Sequence, residues 1–293
     1  MHIPVLIEEV ITTLAPQKGE TYLDVTAGFG GHAFRILEMT QKYDGCVLID
    51  QDQEAIEQLQ SLFSANEVRI VNNDFASASR ELEKEGQQFD IILADIGVSS
   101  LHLDKASRGF SLRRIGPLDM RMDQTATLDA NDIINYYERS KLIKVLREYG
   151  EEYRAPKIVD RIIEHRPIKS TTELANIIAR AVGGKQTKVH PATKTFQAIR
   201  IEVNDELNRL ETSLRLWVKL LKPGGRLAVI TFHSLEDRIV KHYFKEISDA
   251  GYESQFKLLT KKPISASENE LKTNPRARSA KLRAVVKIKN RKG

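Results

Sequence analysis

The segment Leu23-Asp24-Val25-Thr26-Ala27-Gly28-Phe29-Gly30-Gly31-His32-Ala33 gathers three glycines, a histidine and a carboxylate where an apolar run gives way to a helical pattern. Residues 28 to 33, GFGGHA, fit the pattern G-x-G-x-x-G/A, in which backbone without Cβ lets a cofactor lie against the turn. The same turn also serves wherever a strand packs tightly on the next helix. Asp50 closes the next apolar run, twenty residues after Gly30, where a carboxylate accepts both hydroxyls of a ribose. These features suit NAD and S-adenosylmethionine alike. Asp24 separates the two: a carboxylate beneath the turn opposes a pyrophosphate but pairs with a cationic amino-acid moiety. In the plainer reading, Asp24 and Asp50 cap loop backbone.

Asp95 directly follows the apolar run Ile91–Ala94 and precedes the small-residue loop Ile96-Gly97-Val98-Ser99-Ser100, which can admit a flat substrate. The carboxyl edge of an open α/β sheet is where ligands bind. An oxygen placed there can accept a hydrogen of an aromatic amine. The nitrogen then rehybridises as it attacks a methyl activated by sulfonium. The competing role for Asp95 is a helix N-cap.

Other residues carry a functional and a structural reading side by side. Phe75 can flank an adenine or fill core; Phe110 and Phe232 can stack on an unstacked base or pack. Asp119-Met120-Arg121-Met122 can line a cleft or form an ion pair that organises its own segment. His190 precedes a helix-starting Pro191, and His233 follows a strand. Seven scattered histidines without a ligand cluster predict no metal site.

These groups need a scaffold, and the pattern supplies a parallel sheet. Thr21–Val25, Cys46–Ile49, Val68–Val71 and Ile91–Ala94 read as strands, with helices over His32–Thr40 and Gln53–Phe63. Such alternation predicts βαβ units. A fifth strand, Arg226–Phe232, follows the Pro223-Gly224-Gly225 turn. Gln255–Leu259 and Ala284–Ile288 are the last candidates, the second alternating like an exposed edge strand. Between Asp95 and Arg226 lie 130 residues, far more than one crossover needs. Helix signals fill the interval. Ser170-Thr171-Thr172-Glu173 is a capping box, Asp132–Tyr149 has helical spacing, and Pro191 opens a long helix through Phe196, Val203 and Leu214. The expected organisation is a discontinuous sheet domain, 1–104 and 209–293, with an inserted all-helical substrate-recognition domain over 105–208.

Composition bounds the function. The 293 residues are 41% hydrophobic and 29% charged, an ordinary globular balance. The net charge of +5 is segregated: Lys257–Gly293 carries +10 and the preceding residues −5. A basic end on an acidic body is a footprint of nucleic-acid contact. Arg276, Arg278, Lys281, Arg283, Lys287, Lys289, Arg291 and Lys292 form that end, against the plainer reading of a solvated face. One cysteine, Cys46, excludes an internal disulfide framework. With no membrane-length apolar run and no signal pattern, the expectation is a soluble cytoplasmic protein without a membrane partner.

Long motifs then stand in order along nearly the whole chain: His2-Ile3-Pro4-Val5-Leu6, Gly30-Gly31-His32, Asp95-Ile96-Gly97-Val98-Ser99-Ser100, Arg108-Gly109-Phe110-Ser111 and Gly116-Pro117-Leu118-Asp119-Met120-Arg121-Met122. His190-Pro191-Ala192-Thr193-Lys194-Thr195-Phe196-Gln197-Ala198, Phe232-His233-Ser234-Leu235-Glu236-Asp237-Arg238 and the run from Asn274 to Arg283, NPRARSAKLR, follow. In these motifs the sequence resembles the bacterial 16S rRNA cytosine-N4 methyltransferases, the RsmH or MraW family. The resemblance implies a class I S-adenosylmethionine-dependent methyltransferase sheet (α/β, Rossmann-like) with a helical insertion. It implies methylation of N4 of a cytidine in the decoding centre of 16S rRNA, with Asp95 orienting the amine. The cofactor positions it implies are Gly30, Gly31, His32, Asp50, Phe75, Asp95 and residue 102; Asp24 and Gly28 join them from the reading of the turn. Residue 102 is His102, where relatives usually carry Gln. Substrate contacts are expected from Phe110, Phe232, His233, Arg276, Arg278, Lys281 and Arg283. The expected partner is 16S rRNA within a small-subunit particle, and a homodimer is compatible with the sequence. Two alternatives stand beside this one: a nicotinamide-dependent oxidoreductase, and a non-enzymatic RNA-binding assembly factor on a relic fold.

Overall fold

The computed structural model describes residues 4–97, 105–183, 190–249, 251 and 254–289. Two compact units emerge, Met1–Gly97 with Leu207–Gly293 as one and Val98–Glu206 as the other.

The first unit is built on seven strands: β1 (Tyr22–Asp24), β2 (Val47–Asp50), β3 (Arg69–Asn72), β4 (Phe89–Asp95), β5 (Leu221–Thr231), β6 (Phe256–Leu258) and β7 (Lys281–Lys287). Their order across the sheet is β3-β2-β1-β4-β5-β7-β6. The first five run parallel, whereas β7 lies antiparallel to both β5 and β6. That order and single reversed strand are those of a class I methyltransferase sheet. The strand order reverses between β1 and β4, the crevice where open sheets of this kind bind ligands.

Helices cover both faces, which is why the central strands are apolar throughout rather than alternating. On one face α2 (Gly31–Thr40) and α3 (Gln53–Leu62) bury Ile36, Leu37, Ile56 and Leu59 with Tyr22, Leu48 and Leu93. α1 (Ile7–Leu14) adds Val10 and Leu14 to the same layer. On the other face α4 (Phe75–Lys84) contributes Leu82 to a layer with Leu23, Ile49, Ile92 and Val229. α3 and α4 begin on aspartates: Asp52 accepts from the Glu54 amide, and Asp74 from the Ala76 and Ser77 amides.

Among the described residues of the second unit, every regular element is helical: α5 (Ala130–Tyr136), α6 (Arg139–Glu148), α7 (Ala155–Glu164), α8 (Thr171–Val182), α9 (Thr193–Asn204) and a 3₁₀ turn at Ala106–Arg108. Ile133, Leu146, Ile158, Ile178 and Ile199 are buried in its core. Then come α10 (Glu206–Lys219), α11 (Ser234–Ser248) and α12 (Glu268–Thr273). α10 and α11 add Leu214, Trp217, Val240 and Phe244 to the second layer of the sheet.

Several local expectations change. The long helix expected after Pro191 is two helices, broken at Asp205, whose φ of 50° is left-handed. Asp tolerates that conformation better than most residues. The span Asp132–Tyr149 likewise breaks at Tyr137, which leaves the helical region at ψ 139°. Ser170 caps α8 by accepting from the Glu173 amide, but Glu173 returns its carboxylate to the Lys169 amide, so the box is not reciprocal. Pro223-Gly224-Gly225 is a bulge within β5: Phe89 pairs with Leu221 and Ile91 with Arg226. The last strand is not an edge. β7 lies between β5 and β6 with Leu282, Arg283, Ala284, Val285 and Lys287 buried, and β6 takes the edge. No helix among the described residues is long and apolar enough to cross a membrane.

Candidate active site

Three parallel neighbours each end on an aspartate: β1 on Asp24, β2 on Asp50 and β4 on Asp95. Register sets their depths. Asp24 lies level with Leu48 and Leu93, two residues short of Asp50 and Asp95. At a strand rise of about 3.3 Å per residue, it sits roughly 7 Å deeper. It is 1% exposed accordingly. The Tyr22 hydroxyl donates to its Oδ2 at 2.7 Å and the Thr26 amide to its Oδ1 at 3.1 Å. Burial pushes its carboxyl up to about 7, although those two hydrogen bonds work the other way.

Asp50 accepts from the Gly28 amide at 2.8 Å and the Asp52 amide at 2.9 Å. Both oxygens are thus tied to backbone, and each keeps a lone pair for a ribose hydroxyl. Burial raises its carboxyl above the usual range. Asp95 is held through its backbone, whose amide donates to Thr26 Oγ1 at 2.7 Å. Its Oδ1 is buried and, among the described residues, has no hydrogen-bond partner. Burial, with Asp24 and Glu236 adding negative charge, pushes its carboxyl up to about 8.

The first turn is shaped by close packing as much as by any ligand. Gly28 and Gly30 have φ of 53° and 80°, the left-handed region that favours glycine. A Cβ on Gly30 would fall 2.9 Å from Leu59 and Leu62 side chains, and one on Gly31 only 2.4 Å from Pro4 Cγ. Bare backbone is therefore required on the protein side of the turn as well. His32, the second residue of α2, is buried. Its Nε2 donates to the Val5 carbonyl at 2.9 Å, and its Nδ1 lies 4.0 Å from Asp95 Oδ2.

Phe75 opens α4 with its ring 5.8 Å from that of Trp217, tilted against it, so one side of it is core. Phe232 follows β5, and its ring packs against Gly97, where a Cβ would come within 3.0 Å. That places an aromatic ring beside the Asp95 edge. His233 caps α11: its Nδ1 accepts from the Glu236 amide, and Glu236 Oε2 accepts from the Phe232 and His233 amides. His102, and with it Val98 to Asp104, lies outside the described residues.

Other expected contacts are corrected. Phe110 is 7% exposed inside the helical core, so its ring packs and offers no stacking face. Asp119 and Arg121 pair at 2.9 Å on both oxygens, and Arg121 also donates to the Gln124 and Ala126 carbonyls. That pair organises its own segment. Arg283 is 8% exposed and grips Asp237 with two hydrogen bonds, while Lys281 Nζ lies 3.3 Å from the same carboxylate. Lys287 is buried and donates to the Leu221 carbonyl, and burial lowers its ammonium. Three of the eight basic side chains from Arg276 onward thus serve the sheet. Arg276 and Arg278, on the 3₁₀ turn Pro275–Ser279, are exposed.

Sequence reasoning missed Tyr22, Val5, Thr26, Glu236 and Asp237. Tyr22 was within reach of it: residues two apart on a strand share a face, and a hydroxyl there meets Asp24.

An S-adenosylmethionine fits this donor set. Clustered carboxylates, Asp24 buried and Asp50 and Asp95 half-buried, ask for a cation, and the orphaned Asp95 oxygen asks for a donor. A pyrophosphate would add charge of the same sign.

Comparison with known proteins agrees. The model of the MraW methylase family matches residues 1–288. The Ribosomal RNA small subunit methyltransferase H of Trichodesmium erythraeum is 46% identical over 291 residues, covering 98% of this chain and 99% of that protein. Its namesake from Trichormus variabilis is 47% identical over 290 residues, covering 98% and 92%. Among solved structures, an rRNA methylase from Streptococcus thermophilus covers 99% of both chains at 10% identity and a TM-score of 0.40.

Proposed function

The chain belongs to the MraW methylase family, and on that footing we propose that it methylates N4 of a cytidine in the decoding centre of 16S rRNA, using S-adenosylmethionine. The observation that carries the reading is the row of strand-terminal aspartates, Asp24, Asp50 and Asp95, with a buried Asp95 oxygen lacking a hydrogen-bond donor among the described residues.

Each group then has a task. Asp24, deepest and held by Tyr22, takes the ammonium of the cofactor. Asp50, fixed by Gly28 and Asp52, accepts from the ribose hydroxyls. Phe75 flanks the adenine with the side not spent on Trp217. When bound, the cofactor supplies a methyl group already activated by positive sulfur. Asp95 accepts a hydrogen of the target amine, turning its lone pair out of the ring conjugation and toward the methyl. Phe232 stands at the same edge as a stacking face for a base drawn out of its strand. The unit Val98–Glu206 serves substrate recognition, and exposed Arg276 and Arg278 contact phosphate. A small-subunit particle is the substrate, and the setting is the bacterial cytoplasm.

Mass mapping of modified nucleotides in small-subunit rRNA, with and without the protein, tests the reading. An N4-methylcytidine present only with the protein is the expected result; an unchanged map overturns it. Single-turnover transfer from labelled cofactor separates an enzyme from an assembly factor, which would bind RNA and transfer nothing. Titration with S-adenosylmethionine and with NAD, expected to show binding of the first alone, disposes of the nicotinamide alternative.

A further inference from the structure

His32 has a task the mechanism above leaves unused. Its ring is buried, and Nε2 lies 2.9 Å from the Val5 carbonyl. A carbonyl oxygen only accepts, so the proton of a neutral imidazole sits on Nε2 and the lone pair on Nδ1. Nδ1 is the nitrogen turned toward Asp95 Oδ2, at 4.0 Å. That is ion-pair range, about 1 Å beyond a direct hydrogen bond, and such contacts tighten when substrate binds. We infer that His32 is the positioning and proton-holding partner of Asp95, receiving through it the proton that the target amine sheds. The inference rests on the amine-methylation reading of this site.

The step balances. As N4 takes the methyl, its new N–C bond forms and the C–S bond breaks, with sulfur keeping that electron pair. The nitrogen is then cationic and gives one hydrogen to Asp95 as a proton, retaining the bonding pair. Asp95 passes it to Nδ1, leaving an imidazolium beside a carboxylate. The environment favours that ending. Among the described residues, the charged groups that act on Asp95 are acidic, Asp24 on β1, beside Tyr22, and Glu236 on α11, with Asp50 on β2 acting on Asp24 in turn. Burial and these charges raise Asp95 to about 8, so the carboxylate takes a proton from the methylated nitrogen readily. A cation on His32 also returns Asp95 to its charged, accepting form.

The test separates this role from cofactor binding. The H32N substitution keeps an acceptor near the place of Nδ1 but takes up no proton. Expected are a single-turnover rate at saturating cofactor reduced tenfold or more and an acid limb of the pH–rate profile displaced by a unit or more, whatever the cofactor affinity. A wild-type rate with an unmoved limb overturns the inference. So does lost affinity with an unchanged saturated rate, which makes His32 a cofactor ligand. Imidazole nitrogen NMR of the free wild-type protein at high pH, with the His32 signals assigned by difference, gives a readout independent of turnover and of the variant's folding. An Nε2–H tautomer is expected, and an Nδ1–H tautomer overturns the inference. Failure of wild-type protein to methylate any small-subunit substrate rejects the amine-methylation reading itself, whereas an active wild type with an indifferent H32N rejects only the role of His32.

Discussion

Replacing Asp95 by asparagine should stabilise the free protein, and by an amount that grows with pH. The Asp95 carboxyl is raised to about 8 by burial and by the charges of Asp24 and Glu236, against about 3.9 in an unfolded chain. Between roughly pH 4 and 8 the folded state therefore binds more protons than the unfolded one, and stability falls as pH rises through that window. The slope is about 1.4 kcal/mol per pH unit for one group. From pH 5 to 8 that accumulates to about 4 kcal/mol, which D95N escapes. Among the described residues the substitution sacrifices no side-chain hydrogen bond, since Oδ1 has no partner and Oδ2 stands 4.0 Å from His32. In a unit of this size about 4 kcal/mol corresponds to a melting shift on the order of 10 °C. Thermal unfolding of both proteins at pH 5, 6.5 and 8, without cofactor, reads it directly. The variant should melt close to wild type at pH 5 and well above it at pH 8, while transferring no methyl at either. A gap that is constant or narrows with pH refutes the placement of a buried, uncompensated carboxylate at this edge.

Four further outcomes follow from the same geometry. Because a cationic ligand needs Asp95 and Asp24 ionised, S-adenosylmethionine affinity measured by calorimetry should weaken toward tenfold per unit as pH drops below about 8. The G31A substitution, whose Cβ would meet Pro4 Cγ at 2.4 Å, should cost about 1–3 kcal/mol in denaturant unfolding and weaken cofactor binding as the turn shifts. R283A should cost about 3 kcal/mol by leaving Asp237 buried without its guanidinium. The R276A/R278A pair should lower the salt slope of RNA binding by about 2.

Much of this site was legible because its parts are local. An aspartate ending an apolar run announces a carboxylate at the mouth of a sheet, and Asp50 and Asp95 read that way, whereas Asp24 is read from the glycine turn above it, inside a strand expected to run on to Val25. What pairs with them was not legible, because the partners are remote. Val5 reaches His32 across 27 residues and Arg283 reaches Asp237 across 46. A charge count treats Arg283, Lys281 and Lys287 as free cations, whereas the fold spends them on a carboxylate or a carbonyl. The alternation in Ala284–Ile288 suggested an exposed edge, and nothing local says that a later strand will slip between two earlier ones. Helix breaks at Tyr137 and Asp205 escaped for the opposite reason: apolar spacing continued through residues whose backbone turns away.

The place of β7 has a consequence for the order of events during synthesis. The unit Val98–Glu206 is one uninterrupted stretch and can collapse as soon as it leaves the ribosome. The sheet cannot. Its sixth position is filled by Lys281–Lys287, and Ala277 and Leu282 complete the layer that also holds Val5 and Leu6. Glu270 accepts from the Leu6 amide at 2.8 Å, tying the start of the chain to its final stretch. Val5, which fixes the ring of His32, is thus seated beside residues translated some 270 positions later. A nascent chain should carry a folded insertion long before it has a working centre, and competence to bind cofactor should arrive abruptly with the last strand.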